Sequence, residues 1–112
     1  MVVDYQKRSR LDEVFYALAD PTRRSIVEKT FQGDYSISEL ARQFPMSFAA
    51  VQKHVAVLER AELVSKRRHG REQIVRSNVA AIRRAEKFLG RYEELWRHRI
   101  DQMSGILDED TK

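Results

Sequence analysis

The feature that most constrains this chain is an apolar stripe along its last third. Between Val79 and Leu107, apolar or small residues stand at Ile82, Ala85, Leu89, Tyr92, Trp96, Met103 and Leu107, at spacings of 3, 4, 3, 4, 7 and 4. Only the position filled by Arg99 or Ile100 departs from a sustained a/d-like pattern. Such a helix is about 43 Å long at 1.5 Å per residue. With 112 residues the chain has room for one domain, and a compact domain of that size has a radius of gyration of about 13 Å. The helix therefore outruns its own domain. Its stripe needs a partner, and a second copy of the chain is the simplest one.

The rest of the chain reads as short helices with clear starts and stops. The first ten residues form a polar arm. Leu11, Val14, Phe15 and Leu18 then recur at the spacing of one helical face. Asp20 is a good N-cap, and Pro21 sits at the first helical position, where its missing N–H costs nothing. The helix that follows is expected to turn Ile26, Val27, Thr30 and Phe31 inward and to end at Gly33. Ser36-Ile37-Ser38-Glu39 is a capping box. It starts a short helix through Leu40, Ala41 and Phe44, stopped by Pro45. Ser47 caps a longer helix, with Met46 and Val51 placed as a hydrophobic staple. Val51, Val55 and Leu58 form its inward stripe, and Ala49, Gln52, Lys53 and Ala56 fall opposite. Two helices this close, the second with a polar outer face, make a helix-turn-helix pattern.

After Ala61 the period changes. Leu63-Val64 and Ile74-Val75 are β-prone and flank His69-Gly70-Arg71, which predicts a hairpin. Asn78 is placed to cap the last helix. The hairpin also gathers charge. From Lys66 to Arg76 stand Lys66, Arg67, Arg68, Arg71 and Arg76 against the single acid Glu72. The whole chain carries 21 Lys+Arg and 17 Asp+Glu, so much of its net charge of +4 is concentrated here. Like charges crowded on a hairpin tip repel and bring nothing to an isolated fold; a polyanion would neutralise them and release counterions.

The order is thus helix, helix, helix-turn-helix, hairpin, long helix. Three stretches also resemble the ArsR family of bacterial winged-helix repressors: ALADPTRRSIVE (Ala17 to Glu28), SISELA (Ser36 to Ala41) and MSFAAVQKHVAVLERAELV (Met46 to Val64). The resemblance runs from about Leu11 to Leu107. It implies a dimer built from the first and last helices, which adds Leu11 and Phe15 to an interface of Ile82, Leu89, Tyr92, Trp96 and Met103. It also implies a recognition helix in the major groove of DNA and the hairpin as a wing. LGRYEELWRHRIDQM (Leu89 to Met103) resembles a subgroup without metal ligands, in which the Tyr and Trp sit in the dimer helix. One departure stands out. The family usually has glycine where this chain has Glu62; a left-handed residue other than glycine costs roughly 1–2 kcal/mol, which leaves room for the recognition helix to end differently here.

The candidate DNA contacts follow. Ser47, Phe48, Ala49, Gln52 and Lys53 lie on the N-terminal turns of the recognition helix, the end that meets base edges in helix-turn-helix proteins. Glutamine can pair with adenine N6 and N7, and lysine can reach guanine O6 and N7. Ala49 and Phe48 offer apolar contact to a thymine methyl, and Ser47 can hold a phosphate at the helix N-terminus. Phe48 could equally fold back as core. His54, which the resemblance places near the DNA backbone, could instead support helix packing. On the wing, Arg67, Arg68, His69 and Arg71 are the phosphate or minor-groove candidates.

Other chemistry finds little footing. There is no cysteine, which excludes disulfides, zinc-thiolate sites and cysteine nucleophiles. In the family's two metal-sensing designs, the matching positions here are Ser36 and Ser38, or Ala85, Lys87, His98 and Asp101. The first pair are poor ligands and half of the second set is missing. His98 and Asp101 read better as a surface i,i+3 pair. With three histidines (His54, His69, His98) and no plausible nucleophile–base pair, the chain is not expected to be an enzyme, and no cofactor is expected.

These observations predict a mainly α winged helix-turn-helix fold: a three-helix core, a β-hairpin wing and a long C-terminal dimerisation helix. The polar arm covers 1–10 and a single domain 11–112, with the helix-turn-helix over 37–61, the wing over 63–77 and the dimerisation helix over 79–107. The expected function is a homodimeric repressor on double-stranded DNA with an inverted-repeat operator. No apolar run suits a membrane span and no signal peptide is visible, so the bacterial cytoplasm is the expected location. The rival is a winged-helix module that binds protein; a neutral wing and an acidic or apolar outer face would have favoured it. A third reading is a sensor whose small ligand lodges in the dimer cleft near Tyr92 and Trp96; it and the DNA reading can both hold. The inducer, if any, is unknown.

Overall fold

The computed structural model describes residues 9–110. Most of the expected polar arm, and the side chain of Leu107, lie outside the described residues. Helix α1 spans Arg10–Leu18 and opens with a capping box not foreseen from sequence. The Ser9 hydroxyl accepts from the Asp12 N–H at 3.1 Å, while the Asp12 carboxylate accepts from the Ser9 N–H. Helix α2, Pro21–Gln32, has Asp20 at its N-cap and Pro21 at its start. Strand β1, Tyr35–Ser36, is followed by helices α3, Ile37–Ala41, and α4, Phe48–Arg60. Strands β2, Val64–His69, and β3, Glu72–Ser77, form the hairpin, and helix α5 runs over Ala80–Asp110.

The starts of α2, α3 and α4 have the chemistry expected of them. The Ser36 hydroxyl accepts from the Glu39 N–H and the Glu39 carboxylate accepts from the Ser36 N–H, both at 3.0 Å. Asn78, expected to cap α5, stands one residue before the cap position: the Val79 carbonyl accepts from the Arg83 N–H, and the Asn78 side-chain oxygen accepts from the Ala80 N–H at 3.1 Å. Ser47 accepts from the Ala50 N–H at 3.1 Å. Caps of this kind contribute about 0.5–2 kcal/mol each. The core lies where α1, α2, α3 and α4 meet the base of the hairpin. Val14, Ala17, Ile26, Leu40, Val51, Val55, Leu58 and Val75 have no exposed surface. Burying an aliphatic side chain of this size contributes about 1.5–3 kcal/mol.

Three details differ from the sequence expectation. Phe31 is 54% exposed rather than inward. At about 100° per residue, it falls past the edge of the stripe that Ile26, Val27 and Thr30 define. Helix α3 ends at Ala41, one turn before Phe44, although Phe44 still packs against the core. And the wing is a three-stranded antiparallel sheet in the order β1-β3-β2, because Tyr35 and Ser36 pair with Val75 and Ile74.

Helix α5 sets the overall shape. Its 31 residues give about 46 Å. The radius of gyration is 20.0 Å and the molecule measures 73 × 38 × 24 Å. Its first turns pack on the body through Ala81 and Ala85, which are buried, and through Ile82. Beyond them the exposed apolar residues are Leu89, Tyr92, Leu95, Trp96, Ile100 and Met103, from 41% to 66% exposed.

Candidate nucleic-acid interface

Helix α4 has a clear inside and outside. Val51, Val55 and Leu58 are fully buried. Ser47, Phe48, Ala49, Gln52, Lys53 and Arg60 are exposed. Phe48 is 47% exposed and lies apart from the core cluster, so the fold leaves it outward. Arg60 was not among the residues singled out from sequence. Its signal was there: it stands seven residues after Lys53, on the same exposed face.

His54 sits on the flank of α4, half-buried. Its Nδ1 lies 3.4 Å from a terminal guanidinium nitrogen of Arg23 on α2. Arg23 in turn donates to the carbonyls of Ala17 at 2.7 Å and Tyr16 at 2.9 Å, and lies 5.2 Å from the centre of the Tyr16 ring. Arg24 donates to the carbonyl of Leu18 at 2.8 Å. Helix α1 has no basic residue in its last turn. Its terminal carbonyls are satisfied instead by these two arginines from the next helix, favourable placements at a negative helix end. The Arg23 N–H, with the Arg23 guanidinium nearby, holds the Asp20 carboxyl below its ordinary pKa. Two backbone and hydroxyl donations from Ser36 do the same for Glu39.

The hairpin separates its cations by face. Successive strand residues point to opposite faces. Lys66 forms a 3.4 Å ion pair with Glu59 of α4, which turns the Val64, Lys66 and Arg68 face toward the recognition helix. Gln73, opposite Arg68 in the ladder, shares that face. Arg67 and His69 point the other way and line a cavity of about 440 Å³ with Ser65, Ile74 and Arg76, which Lys66 also borders. Arg71 is exposed in the turn beside Gly70, whose φ of 64° suits glycine. Among the described residues no carboxylate pairs with Arg67, Arg68 or Arg71; Arg68 donates only to the carbonyl of Gly70, at 3.2 Å. At the base of the wing, two Arg76 nitrogens donate to one Asp34 oxygen at 2.8 and 3.0 Å, which raises the Arg76 pKa further.

The residues expected at the dimer face divide into two groups. Leu11, Phe15 and Ile82 are partly buried against their own core. Leu89, Tyr92, Trp96 and Met103 are 50–63% exposed. Leu95 and Ile100 join them, and Phe88 links the groups through ring contacts of 5.9 Å to Phe15 and 5.2 Å to Tyr92. Between α1 and α5 lies an open groove of about 540 Å³, floored by Phe15, Leu18, Ile82 and Leu89, with Glu86 and Glu93 among its lining residues. Among the described residues no three His, Cys, Asp or Glu side chains gather to hold a metal, and no helix is long and apolar enough to cross a membrane.

A helix-turn-helix followed by a hairpin packed beside its second helix defines a winged helix-turn-helix protein. The comparisons narrow this further. Residues 20–66 match the family described as "Bacterial regulatory protein, arsR family". The chain is 32% identical over 99 residues to the HTH-type transcriptional regulator Rv2034 of Mycobacterium tuberculosis, covering 88% of this chain and 90% of that one. It is 35% identical over 60 residues to the transcriptional repressor SdpR of Bacillus subtilis, covering 54% and 67% respectively. An ArsR-like transcriptional regulator from Rhodococcus sp. RHA1 superposes with a TM-score of 0.81 at 32% identity, covering 89% of this chain and 92% of that one. The chain belongs to the ArsR family of regulatory proteins, whose members here are transcriptional regulators and not enzymes.

Proposed function

We propose that this protein represses transcription as a homodimer that binds an inverted-repeat operator, covers a promoter and competes with the polymerase. It would act in the bacterial cytoplasm. The observation that carries the reading is the wing tip, where Arg67, Arg68, His69 and Arg71 stand exposed beside the polar outer face of α4. Such crowding gains nothing within one chain, and the ionic partner it lacks is supplied by DNA phosphates. Gln52 and Lys53 would then read base edges, with Ala49 and Phe48 against a thymine methyl and Ser47 on a phosphate. The dimer follows from α5, whose exposed apolar residues need cover that one chain does not provide. Two-fold symmetry in the protein asks for two-fold symmetry in the operator, with half-sites about 10 base pairs or a multiple apart.

The test is genome-wide selection of DNA fragments bound by the purified protein. An enriched inverted repeat is the expected result. Enrichment of a single asymmetric half-site, or no enrichment, would count against the proposal. In the latter case the protein-binding reading would take its place.

A further inference from the structure

Arg23 is the residue through which three helices meet. Its backbone N–H is taken by the cap residue Asp20, its Nε and one terminal nitrogen by the last carbonyls of α1, and its other terminal nitrogen faces Nδ1 of His54 on α4. Arginine has donors and no acceptor, and it does not lose its proton in proteins. An imidazole nitrogen that faces it at hydrogen-bond distance must therefore accept. That requirement selects one form of His54. Nδ1 carries a lone pair, and the single proton of the neutral ring resides on Nε2.

The second link concerns where that proton goes. His54 is half-buried on the flank of α4, one residue after the exposed Lys53. With Nδ1 engaged by Arg23, its remaining polar atom is the Nε2–H, a donor on the helix proposed to enter DNA. The chemistry that accepts a lone neutral donor beside an exposed lysine is a phosphate oxygen.

We propose that Arg23 is a positioning residue for DNA binding: it fixes the tautomer and ring orientation of His54 so that α4 presents the Nε2–H to a backbone phosphate. The proposal rests on the DNA-binding reading of α4. It makes packing support and phosphate contact two ends of one ring. It also ties the orientation of that donor to the C-terminus of α1, because the guanidinium that orients the ring also holds the Tyr16 and Ala17 carbonyls.

The experiment has two arms, both on the full chain. In the first, ¹⁵N spectra of the imidazole side chains in the free protein at neutral pH report the tautomer without any DNA. The expected signature is a protonated Nε2 and an unprotonated Nδ1 for His54, relaxing to a mixture in Arg23→Gln. A predominant Nδ1–H form in the unaltered protein overturns the proposal. The second arm compares Arg23→Gln, His54→Asn and His54→Gln on a mixed-sequence duplex at low salt. The Asn amide oxygen reaches the place of Nδ1 and keeps the acceptor for Arg23. The Gln amide NH₂ reaches the place of Nε2 and keeps the outer donor. Arg23→Gln, which frees the ring, and His54→Asn, which removes the outer donor, are each expected to lose about tenfold in affinity, as for a hydrogen bond to a charged partner, and His54→Gln, which keeps the donor without its orienting contact, to fall between these and the unaltered protein. Thermal melts of the three variants establish that each is folded. If His54→Asn binds like the unaltered protein while His54→Gln fails, His54 only supports packing and the proposal is overturned. If the unaltered protein binds no duplex, the DNA reading fails and takes the phosphate contact with it; the nitrogen spectra still decide the Arg23–His54 relationship.

Discussion

Glu62 holds its backbone at a φ of 61° while its carboxylate accepts from Arg84 of α5 at 3.2 Å. The recognition helix therefore ends in the left-handed conformation that glycine adopts without cost, and this chain reaches it with glutamate. A different helix ending was one possibility raised by the sequence; the backbone instead keeps the left-handed residue. The pair with Arg84 is half-exposed, and such a pair contributes about 0–1 kcal/mol. The strain costs roughly 1–2 kcal/mol. Glu62→Gly is therefore expected to raise stability by up to about 2 kcal/mol, whereas Glu62→Ala keeps the strain, loses the pair and lowers it. Thermal melts giving the order Gly, Glu, Ala would bear this out; Ala above Glu would refute it.

Self-association is the next expectation. Sedimentation should give about 26 kDa, twice the 13.2 kDa of the chain, at micromolar concentration. Trp96 is 63% exposed on the isolated chain. If the partner covers it, Trp96→Ala should weaken the dimer by about 3–5 kcal/mol, the usual cost of truncating a buried aromatic. An unchanged dimer would place Trp96 in solvent.

Base reading and phosphate neutralisation separate by salt dependence. Gln52→Ala should cost about 1–3 kcal/mol on the operator and almost nothing on random DNA. Arg71→Ala should weaken both DNAs and lower the salt slope of log K by about 0.9 for each phosphate that is no longer neutralised. Equal weakening of both DNAs by Gln52→Ala would show that the recognition helix is misassigned.

The two faces of the hairpin give a finer expectation. Arg68 shares its face with Lys66, which is tied to Glu59 of α4; Arg67 points away. Arg68→Ala should therefore reduce the salt slope more than Arg67→Ala in the same titration. The reverse order would mean that the wing meets DNA with its other face.

Acid should weaken the fold through Asp20 and Glu39. Both carboxyls are held below their ordinary values of 3.8 and 4.5 by hydrogen bonds in the native state. A depressed native pKa contributes stability above the unfolded value, and that contribution is lost as pH falls through the native value. Stability should accordingly decline from about pH 5 downward. Asp20→Asn and Glu39→Gln should each flatten the decline. A decline unchanged in both variants would assign it to other groups.

How much of this was legible in the sequence depends on distance along the chain. Asp20-Pro21, Ser36 with Glu39, and Ser47 act on backbone groups within three residues, so their effects were readable. So was the period of α4 and α5. Strand β1 was not, because Tyr35 and Ser36 become a strand only by pairing with Val75 and Ile74, about 40 residues later. The same holds for Asp34 with Arg76 and for Arg23 with His54, which are 42 and 31 residues apart. No local pattern marks those pairs. The face assignment of Arg67 and Arg68 needed the ion pair of Lys66 before it could be made.

Ser36 belongs to two elements at once. Its backbone is the last position of β1, paired with Ile74 of the wing, and its side chain caps α3, the first helix of the helix-turn-helix. It is fully buried. The base of the wing thus has no hinge of its own: to swing it away from α4 would strip a ladder rung and unseat a helix start in one movement. The base of the wing and the first helix of the helix-turn-helix travel as a single casting.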